Sequence, residues 1–106
     1  MTHQEAFSLI KDKKALLIDV RELDEVSEGM AEPATWFSLY EMEEGNQKYE
    51  DFLKVLDKSK EIILYCRSGR RSGMAAQMLT EKGFKATNLG GFDDWAEAGL
   101  PVRKGP

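Results

Sequence analysis

The sequence of 106 residues predicts an α/β fold, a parallel sheet with helices on both of its faces. Three observations predict it. Ala15-Leu16-Leu17-Ile18 and Ile62-Ile63-Leu64-Tyr65 are short unbroken apolar runs, the pattern of strands covered on both sides. Segments of helical period lie between such runs, so strands and helices alternate. Both runs end in polar groups, Asp19-Val20-Arg21-Glu22 and Cys66-Arg67-Ser68-Gly69-Arg70-Arg71. That is the carboxyl edge, where open α/β sheets collect their ligands.

Residues 3–13 read as a first helix, with Ala6, Phe7 and Ile10 on one face and lysines at its end. The Ala15 strand follows. A short helix over 22–28 is stopped by Gly29. Ala34 to Phe37 reads as a strand with Pro33 at its edge. Glu41 to Asp51 is rich in carboxylates and reads as a solvated face. Tyr49, Phe52, Leu53 and Leu56 have i, i+3, i+4, i+7 spacing and predict an amphipathic helix over 47–58. The Ile62 strand leads into the Cys66 loop. A helix is expected from about Ser72 to Lys82, with Met74, Ala75, Met78 and Leu79 on one face and Gly83 as a left-handed cap. Ala86 to Leu89 is the last strand. Gly90-Gly91 turns the chain into a helix over 92–98, which Gly99-Leu100-Pro101 ends. Residues 1–106 read as one domain, without repeat or linker.

An apolar fraction of 42% supports a core, and a formal net charge of −4 argues against a general nucleic-acid binder. The arginines after Cys66 are a local exception to an acidic chain. They favour a small anion over a polyanion. The single cysteine cannot form an internal disulfide. The amino terminus lacks a basic segment followed by an apolar one, and no run reaches membrane-spanning length. The expectation is a soluble cytoplasmic protein that contacts neither membrane nor nucleic acid.

Cys66 lies between the end of a strand and the start of a helix. Free N–H groups and the helix dipole there favour thiolate over thiol. A lone cysteine is commonly a small buried hydrophobe, but these polar, glycine-containing neighbours favour a reactive one. His3 alone offers no metal site, and Cys66 has no partner at zinc spacing. Trp36 and Trp95 read as core or pocket wall. Asp19 and Arg21 read foremost as a buried ion pair or cap that fixes the sheet.

Three separated stretches resemble one family, the single-domain rhodaneses. Asp19-Val20-Arg21-Glu22, with Glu25 and Gly29 after it, resembles the early motif. Cys66-Arg67-Ser68-Gly69-Arg70-Arg71-Ser72 resembles the active-site loop. Gly90-Gly91-Phe92-Asp93-Asp94-Trp95, then Gly99-Leu100-Pro101-Val102, resembles the closing motif. The resemblance implies a three-layer domain with a central, mostly parallel sheet of about five strands. It also implies sulfur transfer through a cysteine persulfide, without a cofactor. The chain departs from the family where Met30 follows Gly29 in place of a histidine, which bears on the rim of the pocket.

On this reading Cys66 is the only covalent catalyst. Successive N–H groups from Cys66 to Arg71 would form an anion nest, Gly69 would supply an angle that other residues resist, and Ser72 would cap the helix. Arg67, Arg70 and Arg71 have two candidate roles, binding a donor oxyanion such as thiosulfate or lowering the thiol pKa. All three cannot point inward, so at least one should face solvent or pair with a carboxylate. Ser68 either donates to the donor anion or is simply a small loop residue. The acceptor would be cyanide or a thiol, including a protein thiol. One alternative is a non-catalytic rhodanese module that binds proteins or senses redox state through an exposed thiol. A more distant one is a cysteine phosphatase. That would place an arginine six positions after the cysteine, where this chain has Ser72.

Overall fold

The computed structural model describes residues 1–106. Helix α1 (His3–Lys11) opens with a capping box: Thr2 Oγ1 accepts from the Glu5 N–H at 3.0 Å, and Glu5 accepts from the Thr2 N–H at 2.7 Å. It ends at Lys11 rather than Lys13, and Lys13 takes a positive φ of 60° in the turn to β1 (Ala15–Asp19). Helix α2 (Leu23–Glu28) follows, then the two-residue strands β2 (Met30–Ala31) and β3 (Thr35–Trp36). Next come α3 (Leu39–Glu44), α4 (Gln47–Val55), β4 (Glu61–Cys66) and α5 (Arg70–Glu81). The chain closes with β5 (Lys85–Gly91), α6 (Phe92–Glu97) and β6 (Val102–Arg103).

The main sheet has four strands in the order β3-β1-β4-β5, all parallel. The parallel sheet between two helical layers is as expected; beside its four strands, β2 and β6 form a separate antiparallel pair. Strand alternation sorts the core into two halves. Ile18, Ile62, Leu64 and Cys66 pack with Leu39, Met42, Tyr49, Ala75 and Leu79 under α3, α4 and α5. Leu17, Ile63 and Tyr65 pack with Ala6, Val26, Met30 and Trp95 under α1, α2 and α6. Burial of each large side chain contributes about 1.5–3 kcal/mol. No helix is long and apolar enough to cross a membrane.

Several local expectations are corrected. Residues 39–44 form a helix that the sequence reading did not assign, with its carboxylates on the solvated side. Leu39 and Met42 are buried, the Ser38 hydroxyl accepts from the Glu41 N–H, and Gly45 ends the helix at φ 62°. Helix α5 begins at Arg70, two residues before the expected Ser72, and Met74 on it is exposed. Gly83 does take the left-handed conformation, at φ 91°. Gly90 and Gly91 end β5 rather than forming a turn.

Candidate active site

Strand β4 is central, and Cys66 is its last residue. The alternation that sends Tyr65 toward α6 sends Cys66 toward the amino end of α5. Gly69 stands at φ 95° and ψ −9°, which folds the loop back over the sulfur. A Cβ at Gly69 would lie 3.4 Å from the Cα of Gly90, so two glycines set the spacing between the loop and the end of β5. Gly91 makes a second such approach, because a Cβ there would collide with the Arg67 carbonyl.

The Gly69 N–H donates to Cys66 Sγ at 3.0 Å, and Ser72 Oγ lies 3.4 Å from it. Burial pushes the Cys66 thiol pKa up. The Ser72 hydroxyl and the main-chain N–H groups of Ser72, Ser68 and Gly69 pull it down, and the balance falls below the ordinary thiol value. Of the expected nest, the Gly69 N–H is the main-chain donor that hydrogen-bonds to the sulfur. Two expectations are corrected. Ser72 does not cap α5: Gly69 occupies the cap, and the buried Ser72 side chain faces Cys66 and Asn88. The exposed thiol that the redox-sensing alternative supposed is instead buried: Cys66 has 0% relative accessibility, beneath its own loop.

The three arginines separate. Arg71 makes a bidentate pair with Glu25 of α2, at 2.7 and 2.8 Å. Its guanidinium holds the Glu25 carboxyl down at about 2. Arg67 and Arg70 are exposed, as is Ser68. Arg67 reaches a cleft shared with Arg21, Glu25, Gly29 and Phe92, whose rim carries Asp24, Glu28 and Asp93. Arg21 itself is bound: it donates to Asp19 through Nε and Nη2 at 2.8–3.1 Å and to the Gly29 carbonyl at 2.6 Å. This is the buried pair the sequence suggested, and Phe92 lies 4.5 Å from its guanidinium. Met30 is fully buried in the core and does not line this cleft.

Asn88 was not singled out by sequence reasoning. Its Nδ2 donates to the Gly69 carbonyl at 2.8 Å, and its Oδ1 accepts from Ser72 Oγ at 2.7 Å and from the Gly90 N–H at 3.1 Å. An asparagine preceding Leu89-Gly90-Gly91 looks like an ordinary strand end, and only the β4–β5 pairing brings it to the loop.

Comparison with known proteins gives a consistent result. The rhodanese-like domain model matches residues 2–98. The Bacillus subtilis protein YtwF is 40% identical over 85 residues, covering 79% of this chain and 76% of its own. The thiosulfate sulfurtransferase GlpE of Coxiella burnetii is 33% identical over 97 residues, covering 90% of this chain and 84% of its own. A solved structure of rhodanese with anions from E. coli superposes with a TM-score of 0.69 at 32% identity, covering 86% of this chain and 99% of that one. The chain belongs to the rhodanese-like domain family and is homologous to the GlpE thiosulfate sulfurtransferases.

Proposed function

We propose that the protein is a sulfurtransferase that carries a sulfane sulfur as a Cys66 persulfide, from an anionic donor such as thiosulfate to cyanide or a thiol. The Cys66 thiolate attacks the outer sulfur of thiosulfate. A new S–S bond forms, the donor's S–S bond breaks, and sulfite leaves with the electron pair. The acceptor then attacks the outer sulfur, and the Cys66 thiolate departs. Neither step needs a redox partner or a general base once the thiol is ionised. The observation that supports this best is the Gly69 N–H 3.0 Å from the sulfur, backed by the amides of Ser68 and Ser72. The same donors are suited to the charge of a persulfide's outer sulfur.

Arg67 and Arg70, which are exposed and lack a carboxylate partner, meet the donor's oxyanion, assisted by the Ser68 hydroxyl. Arg71 has its charge committed to Glu25 and acts chiefly by holding α5 against α2. Gly69 supplies the backbone angle.

The test is thiocyanate formation from thiosulfate and cyanide, with intact-mass spectrometry after donor alone. The parent should turn over and gain the mass of one sulfur atom, and Cys66→Ser should do neither. Inertness of both toward several sulfane donors would leave a binding module. Cys66-dependent hydrolysis of an aryl phosphate, without thiocyanate, would favour a phosphatase.

A further inference from the structure

Asn88 holds the Cys66 loop by contacts that can be made in only one way. Its side-chain amide faces three groups. The Gly69 carbonyl can only accept, at 2.8 Å from Nδ2; the Gly90 N–H can only donate, at 3.1 Å from Oδ1. Interchanging the amide's O and N would set like against like at both contacts, so its orientation is fixed. Oδ1 is then an acceptor toward Ser72 Oγ at 2.7 Å. Ser72 has one hydroxyl proton and two acceptors, Asn88 Oδ1 at 2.7 Å and Cys66 Sγ at 3.4 Å. The nearer oxygen takes the larger share of it, and the sulfur keeps the longer contact. The Gly69 N–H that reaches the sulfur at 3.0 Å belongs to the residue whose carbonyl Asn88 grips.

We propose that Asn88 is a positioning residue for Cys66: it tethers the Gly69 carbonyl, which holds the Gly69 N–H on the sulfur, and it competes with Cys66 Sγ for the Ser72 proton, the tether being the stronger of the two effects. This deepens the sulfurtransferase reading and rests on it for its meaning, although its primary test needs no sulfur transfer. The surrounding charges are Arg67, Arg70 and Arg71 beside the loop, Glu25 on α2 bound to Arg71, and the Asp19–Arg21 pair at the end of β1. Substitution at position 88 with an uncharged residue alters none of these.

The readout is the ultraviolet absorbance of the thiolate against pH, with Cys66→Ser as the blank; the chain has no other cysteine. Removing the tether and freeing the Ser72 proton act in opposite directions, so the sign decides. In Asn88→Ala the midpoint should rise by about one unit, leaving about a tenfold smaller thiolate fraction below it. Thiosulfate turnover should fall to match at neutral pH and recover at alkaline pH, which a mere packing defect would not do. Asn88→Asp should raise the midpoint further, because a carboxylate oxygen then faces the Gly69 carbonyl. Gly73→Ala is the control for folding. A Cβ there would meet Asn88 Nδ2 at 3.2 Å, while alanine favours the helix. It should raise the midpoint without lowering the melting temperature. An unmoved or lowered midpoint in Asn88→Ala overturns the proposal. Shifted midpoints in a protein that forms no thiocyanate would uphold it and remove the sulfurtransferase reading alone.

Discussion

Gly69→Ala tests the backbone geometry on which the nest depends. Gly69 sits at φ 95°, where a residue with a Cβ is strained by about 1–2 kcal/mol. Its new methyl would also stand 3.4 Å from the Gly90 Cα, a backbone atom that cannot swing aside. The loop relieves both by rotating the peptide that now sends its N–H to Cys66 Sγ at 3.0 Å. A hydrogen bond to a charged acceptor is worth about 1.5–3 kcal/mol. At 1.36 kcal/mol per unit, its loss raises the thiol pKa by about 1–2 units. Below the parent midpoint the thiolate fraction, and with it kcat/KM for thiosulfate, should fall about ten- to a hundredfold. The deficit should shrink as pH rises through the new midpoint. The measurements are the thiolate absorbance titration and initial rates of thiocyanate formation over the same pH range. A Gly69→Ala protein with the parent midpoint and rate would show that main-chain donation at this residue does not ionise the sulfur.

Two further outcomes concern the charged groups. Arg70→Ala should raise the KM for thiosulfate about three- to tenfold with little change in kcat, the scale of one exposed charge on an anion; initial-rate kinetics would expose an unchanged KM. Glu25 titrates at about 2 in the folded chain because Arg71 binds it. Its pKa is depressed, so its contribution to stability is complete above the unfolded value of about 4.3 and is lost as pH falls toward about 2. Both partners are partly exposed, at 30% for Arg71 and 21% for Glu25, so the contribution is about 0.5–1 kcal/mol after screening. In Glu25→Gln the urea midpoint should decline less steeply across that acid range. A decline as steep as the parent's would remove this account of the pair.

The strands that could be read beforehand are those whose identity is local. Ala15–Ile18 and Ile62–Tyr65 are apolar without interruption because helices cover them on both faces, and that signal needs no knowledge of partners. The cysteine loop was legible for a similar reason: Gly69 and the arginines follow Cys66 directly in the chain. What escaped is what depends on distant pairing. β2 and β6 have two residues each, too few for any period, and they exist only because Ala31 and Val102 meet in register. Helix α3 was hidden by its own carboxylates, although Leu39 and Met42 carried a faint i, i+3 signal and Ser38 a cap. The thiol is buried although its neighbours in sequence are polar, because the main chain of the loop and the Ser72 side chain close over the sulfur. Asn88 could be noticed only once β5 lay beside β4.

The enclosure of Cys66 under its loop has a consequence for which molecules it can react with. In the resting state only slender reactants, or those that wait for the loop to dilate, can reach the sulfur. A second sulfur atom would extend the side chain by about 2 Å, the length of one S–S bond. On the proposed cycle, bulky thiols are then screened from the empty carrier and meet a reactive atom chiefly when there is cargo to deliver. Attack of the resting Cys66 thiolate on a bulky disulfide, which would cap it as a mixed disulfide and release a thiolate, is discouraged by the same enclosure.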